Sequence, residues 1–135
     1  MTKITALDHV AHSVADLDAS KAWYRKHFGF EEVAAWSGEG YRAAIIAAGP
    51  ARPEMFEVSG ATAGADETHD VLTSFRQRGL KHIGFAVDDV DAAFEQLRSE
   101  GAEVLAEPTT NEDVGMRIAF FRDCDGVQVE LSRKL

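Results

Sequence analysis

Residues 7–19 read LDHVAHSVADLDA, and residues 80–92 read LKHIGFAVDDVDA. The offset between them is 80 − 7 = 73, and at that offset Leu7 matches Leu80, His9 matches His82 and Val14 matches Val87. Asp16, Asp18 and Ala19 likewise match Asp89, Asp91 and Ala92. A self-match of this kind marks a duplicated structural unit. Carried further along the chain, the same offset puts Glu57 of Phe-Glu-Val-Ser on Glu130 of Val-Glu-Leu-Ser. A histidine and a glutamate therefore recur in both halves, near the start and the end of each.

Around these anchors each half reads as β-α-β-β-β. Residues 5–14 are apolar and β-branched with partial alternation, as a strand requires. Asp16 or Asp18 then caps a helix that ends at Gly29. Residues 30–36 and 41–48 form a hairpin about Ser37-Gly38-Glu39-Gly40, and a short strand covers 54–59. The second half repeats the plan. It has a strand at 81–87, a helix at 90–100 closed by Gly101, and strands near 102–106, 115–122 and 127–133, with Asp125-Gly126 as the last turn. Residues 60–79 form the long connection, and its part from Thr68 to Arg78 is predicted to hold a short helix or a lid. The predicted fold is α+β: two tandem βαβββ modules, about 5–59 and 80–135, pairing curved mixed sheets around a metal-binding cleft within one domain, 1–135. Each module leaves one apolar sheet face that it cannot cover alone.

The bulk properties narrow the function classes. The chain has 135 residues, 45% of them hydrophobic, which suffices for a core without disulfides. Its single cysteine, Cys124, forms no intrachain bridge. Fourteen basic and 23 acidic residues give a formal charge of −9, which repels nucleic acid and anionic lipid. No apolar run approaches the roughly 20 residues of a membrane span, and the first residues lack the apolar stretch of a signal peptide. A soluble cytoplasmic protein with a small-molecule substrate is expected, with neither nucleic acid nor membrane as partner.

The recurring pairs point to a metal. Strand side chains alternate between faces, so His9 is expected on the face of Ala11 and Ser13, and His82 on that of Gly84 and Ala86. Glu57 shares its face with Met55 and Ser59, and Glu130 with Gln128 and Ser132. Two carboxylates brought together without a cation repel one another. Two imidazoles and two carboxylates form a mixed nitrogen/oxygen donor set suited to Ni, Co, Zn, Mn or Fe rather than Ca. His9, Glu57, His82 and Glu130 are thus the expected ligands of one divalent ion. His12, three residues from His9, faces the other side of its strand. His27 and His69 have no counterpart and are read as surface residues. Arg42, Arg117 and Arg122 are read as rim residues able to meet an anionic group.

The segments LDHVAHSVADLDASKAWYRKHFGFE (7–31), MFEVSG (55–60), LKHIGFAVDD (80–89) and FFRDCDGVQVELSR (120–133) together resemble the vicinal oxygen chelate superfamily of glyoxalases, bleomycin-resistance proteins and extradiol dioxygenases. The resemblance covers nearly the whole chain. It places the four metal ligands of the family on His9, Glu57, His82 and Glu130, a set similar to that of glyoxalase I. It implies a metal-dependent lyase or isomerase that moves a proton beside a substrate oxygen, with Glu130 and Glu57 as the catalytic carboxylates and a homodimer as the assembly. Two positions depart from bacterial glyoxalases. Ser13 stands where they carry an arginine that holds glutathione, and Ser59-Gly60 stands where they tend to carry an asparagine. Glutathione therefore loses two of its implied contacts. An Fe(II) dioxygenase of the extradiol type and a metal-free small-molecule binding or resistance protein are the rival readings.

Overall fold

The computed structural model describes residues 1–64 and 70–135. The chain forms two compact units, Met1–Ala63 and Gly64–Leu135. The first holds β1 (Val10–Ser13), α1 (Leu17–Phe28), β2 (Glu31–Gly38), β3 (Tyr41–Ala47) and β4 (Pro53–Val58). The second opens with the short helix α2 (Val71–Ser74) and continues through β5 (His82–Ala86), α3 (Val90–Ser99), β6 (Glu103–Asn111), β7 (Met116–Arg122) and β8 (Gln128–Lys134). Its α2 lies in the predicted connection; Thr68 and His69 lie outside the described residues. Each unit contains one four-stranded mixed sheet, ordered β1-β4-β3-β2 and β5-β8-β7-β6. The two sheets thus have the same topology, the α+β plan expected from the repeat.

Local chemistry sets the helix ends. The Asp16 carboxylate accepts the Ala19 N–H at 3.0 Å, and the Asp89 carboxylate accepts the Ala92 N–H at 3.0 Å. Each satisfies a backbone donor that the first turn leaves open. Gly29 closes α1 with a φ of 69°, a conformation that costs glycine little. One sheet face in each unit packs under the helix. In the first unit that face buries Ala44, Ile46 and Met55 with Leu17 and Tyr24 of α1. In the second it buries Ala119, Phe121, Val129 and Leu131 with Phe94 and Leu97 of α3, and the Phe94 and Phe121 rings stand 5.2 Å apart. The fully buried large side chains in each set contribute about 1.5–3 kcal/mol apiece relative to exposure. Each unit therefore has its own apolar core.

The first strand is shorter than its hydrophobic pattern predicts, spanning 10–13 rather than 5–14. It pairs only with β4, in parallel, and the pairing begins at Val10 opposite Pro53. Proline has no N–H to extend a ladder. His9 consequently sits just before the strand. Conversely β6 runs to Asn111, beyond its predicted end, because it stays paired with β7 through two irregularities of register.

Candidate metal-binding pairs in the two units

In the second unit His82 opens β5 opposite Gln128 of β8, and Glu130 lies two residues further along, opposite Gly84. Residues two apart on a strand share a face. His82 Nε2 lies 2.9 Å from a Glu130 carboxylate oxygen. Both side chains are part-buried, 27% and 15% exposed. The His82 ring meets Phe120 edge-on at 5.3 Å and Phe75, the residue capping α2, at 6.3 Å. Its other nitrogen, Nδ1, is buried and has no hydrogen-bond partner. The neighbouring Gln128 is 2% exposed, and neither atom of its amide has a partner.

In the first unit His9 Nε2 lies 3.7 Å from a carboxylate oxygen of Glu54. Its Nδ1 is 2.7 Å from the Asp8 carboxylate. The hydrogen bond that His9 donates to Asp8 holds the His9 pKa above its ordinary value, against a smaller opposing effect of desolvation. Glu54, with 16% of its side chain exposed, was not singled out in the sequence.

Glu57 stands elsewhere. The register pairs Ala11 with Glu54, His12 with Met55 and Ser13 with Phe56. Glu57 is therefore on the face of Met55, which is fully buried beneath α1, and not on the face of Ala11 and Ser13. One Glu57 oxygen accepts the Leu17 N–H at 2.7 Å, at the start of α1. Arg42 spans both Glu57 oxygens, with Nη2 at 2.7 Å and Nε at 3.3 Å. Arg42 above all, and then the Leu17 N–H, hold the Glu57 pKa below the ordinary carboxylate value. An anion at a helix N-terminus with a two-pronged arginine is a structural clamp.

The registers explain the displacement. Ala11 is opposite Glu54 and Gly84 is opposite Glu130, so Glu54 and not Glu57 is the counterpart of Glu130. The offset is 84 − 11 = 73 between the first strands but 130 − 54 = 76 between the last. Two of the three added residues lie in the β6–β7 turn, 112–115, which is longer than the β2–β3 turn, 39–40. The third lies in the final hairpin. Met55 is opposite Ala44, eleven residues before it, whereas Leu131 is opposite Ala119, twelve before it. The unequal turns, Glu39-Gly40 against Glu112-Asp113-Val114-Gly115, were the available signal.

The arginines read as rim residues tie helices to sheets. Arg42 also donates to Asp18 at 3.1 Å, and Arg117 donates to Asp91 at 3.0 Å through Nε. Asp18 and Asp91 are repeat counterparts, so this tie recurs in both units. Arg122 donates to the Gly126 carbonyl at 2.8 Å and closes the last turn. His27 is buried rather than on the surface, 6% exposed, with its ring 4.7 Å from Trp23. Among the described residues no three His, Cys, Asp or Glu side chains are gathered closely enough to hold an ion; the first unit offers His9 with Asp8 and Glu54, and the second offers His82 with Glu130. Among the described residues no helix is long and apolar enough to cross a membrane.

Comparison with known proteins adds to this geometry. The family model described as the Glyoxalase/Bleomycin resistance protein/Dioxygenase superfamily matches residues 6–131. The mouse mitochondrial methylmalonyl-CoA epimerase is 27% identical over 97% of the chain and 74% of its own length. A lactoylglutathione lyase of Arabidopsis thaliana is 29% identical over 93% of the chain, which spans only 43% of that protein. Among solved structures, glyoxalase I from Zea mays aligns at a TM-score of 0.75 with 27% identity, covering 95% of this chain and 44% of that one. A glyoxylase/bleomycin resistance protein/dioxygenase domain from Frankia sp. EAN1pec aligns at 0.78 with 24% identity over 98% of this chain and all of its own, a likeness of fold.

Proposed function

Because the chain belongs to the glyoxalase/bleomycin resistance protein/dioxygenase superfamily, we propose that it is a metal-dependent lyase or isomerase of the glyoxalase type acting on a small molecule. The ligands proposed are His9 and Glu54 in the first unit and His82 and Glu130 in the second, with Glu54 in place of the Glu57 expected from the repeat. The observation that carries this reading is the approach of His82 Nε2 to Glu130 at 2.9 Å, echoed by His9 and Glu54 at 3.7 Å at the corresponding positions of the first unit. Imidazole nitrogen and carboxylate oxygen together suit a divalent transition ion. Such an ion supplies Lewis-acid polarisation of a substrate carbonyl or hydroxyl.

The chain's own residues then divide the work. Glu130 and Glu54 are the carboxylates able to take a proton from a substrate carbon and return it. Phe120 and Phe75 flank the His82 ring and limit its orientation. Glu57 takes no part, because Arg42 and the Leu17 N–H engage its oxygens. A cytoplasmic homodimer completes the proposal, carried by composition and by the resemblance.

One observation favours a second reading. Glu54 is held less closely to its histidine than Glu130, and two histidines with a single carboxylate are the ligand type that binds Fe(II) in oxygenases. Elemental analysis of the dialysed protein separates the two. Ni, Co, Zn or Mn that is lost in Glu54→Gln and in Glu130→Gln but kept in Glu57→Gln supports the lyase or isomerase. Iron that survives Glu54→Gln favours the dioxygenase. Failure to take up any of these ions sinks both and leaves a metal-free binding protein.

A further inference from the structure

Two buried polar groups lie side by side in the second unit without partners. His82 and Gln128 are register neighbours across the parallel pair β5–β8, so their side chains leave the sheet on one face. His82 Nδ1 is buried and unbonded, and so are both polar atoms of the Gln128 amide. Gln128 is 2% exposed, so solvent does not satisfy it. Buried polar groups are nearly always paired, and a pair of adjacent orphans calls for a reason.

The first unit supplies the comparison. There Asp8 accepts from His9 Nδ1 at 2.7 Å. The repeat counterpart of Asp8, at 8 + 73 = 81, is Lys81, which accepts nothing. The counterpart of Gln128, at 128 − 76 = 52, is Arg52, also a pure donor. Each unit thus has one acceptor beside its histidine, but at different places: the preceding residue in the first, the adjacent strand in the second.

We infer that Gln128 is the positioning residue of His82: its amide oxygen accepts the Nδ1–H, which leaves Nε2 unprotonated and aimed at the site shared with Glu130. An imidazole that binds through one nitrogen carries its proton on the other, and the acceptor of that proton fixes tautomer and ring orientation. Turning the amide oxygen toward Nδ1 would pair that oxygen with the orphaned ring nitrogen. The inference rests on the donor set proposed above and adds to it a residue that never touches the ion.

The test uses the full-length 15N-labelled chain with Zn2+, which is diamagnetic. In the unsubstituted protein, imidazole 1H–15N spectra are expected to show His82 protonated at Nδ1, with that proton slow to exchange. Gln128→Leu is expected to lose the slow proton and weaken Zn2+ binding about 10–100-fold. Gln128→Glu keeps an acceptor oxygen and is expected to keep the proton signal. If Gln128→Leu does not fold, Gln128→Met removes the same acceptor at similar length and is read the same way. A slow Nδ1 proton and unchanged affinity in the Leu or Met variant overturns the inference, as does a His82 that binds through Nδ1. An unsubstituted protein that takes up no Zn2+ overturns the donor set itself, a result distinguishable because it precedes any variant.

Discussion

The two units share a topology and differ in how firmly each holds its histidine and carboxylate. In the second unit His82 and Glu130 are 2.9 Å apart, against Phe120, and part-buried. In the first, His9 precedes its strand, lies 3.7 Å from Glu54 and bonds to the exposed Asp8. The physical origin is the length of the first strand. His82 is inside a ladder that begins at Gln128, whereas the ladder of the first unit begins one residue after His9, at Pro53. A duplicated unit keeps its topology because the core under the helix demands it. The sheet face away from the helix is free to diverge, and here it does so residue by residue.

The sharpest way to break this comparison is to remove one carboxylate at a time. Glu130→Gln and Glu54→Gln should each weaken Zn2+ binding by at least the about 10–100-fold typical of an outer-shell loss, with Glu130→Gln the larger. Calorimetric titration measures both, and equal losses would show that the looser spacing in the first unit has no energetic meaning. Next in size is Asp8→Asn. It keeps an acceptor oxygen but removes the charge, and a loss near the lower end, about tenfold, is expected by the same titration.

Where the units are alike, the effects should match. Asp16→Ala and Asp89→Ala remove caps of the same 3.0 Å geometry. Each should cost about 1 kcal/mol in denaturant unfolding, and a large inequality would mean the two helices differ in weight. The smallest effect belongs to the clamp found only in the first unit. The Glu57 pKa is depressed in the folded chain by Arg42 and the Leu17 N–H. Its contribution is complete above the ordinary value of 4.5 and is lost as pH falls below it through the lower folded value. Glu57→Gln should therefore lower the thermal midpoint at neutral pH, and the difference from the unsubstituted protein should shrink as the solution is acidified. Solvent screening keeps the effect small. The metal content should not change; if it falls with that of Glu54→Gln, the assignment of the two glutamates by strand face is wrong.

Much of this was legible in the chain itself. The repeat of residues 7–19 and 80–92 predicts two βαβββ units. Asp16 and Asp89 as caps and Gly29 as a helix end follow from local backbone chemistry, which needs no distant partner. The candidate residues His9, His82 and Glu130 come from the same repeat. The choice between Glu54 and Glu57 does not. A strand reverses its facing side at every residue, so a shift of three residues moves a side chain to the opposite face. That shift arises from turn length and cross-strand register, which only the paired strands fix. The segment Pro-Glu-Met-Phe-Glu-Val offers a carboxylate on each face, and the burial of Met55 under α1 decides which one stands beside His9. The short reach of β1 and the unpartnered Gln128 were likewise settled by which strand lies alongside. Helix ends are local and are written in adjacent residues, whereas faces, registers and neighbours depend on residues far apart in sequence.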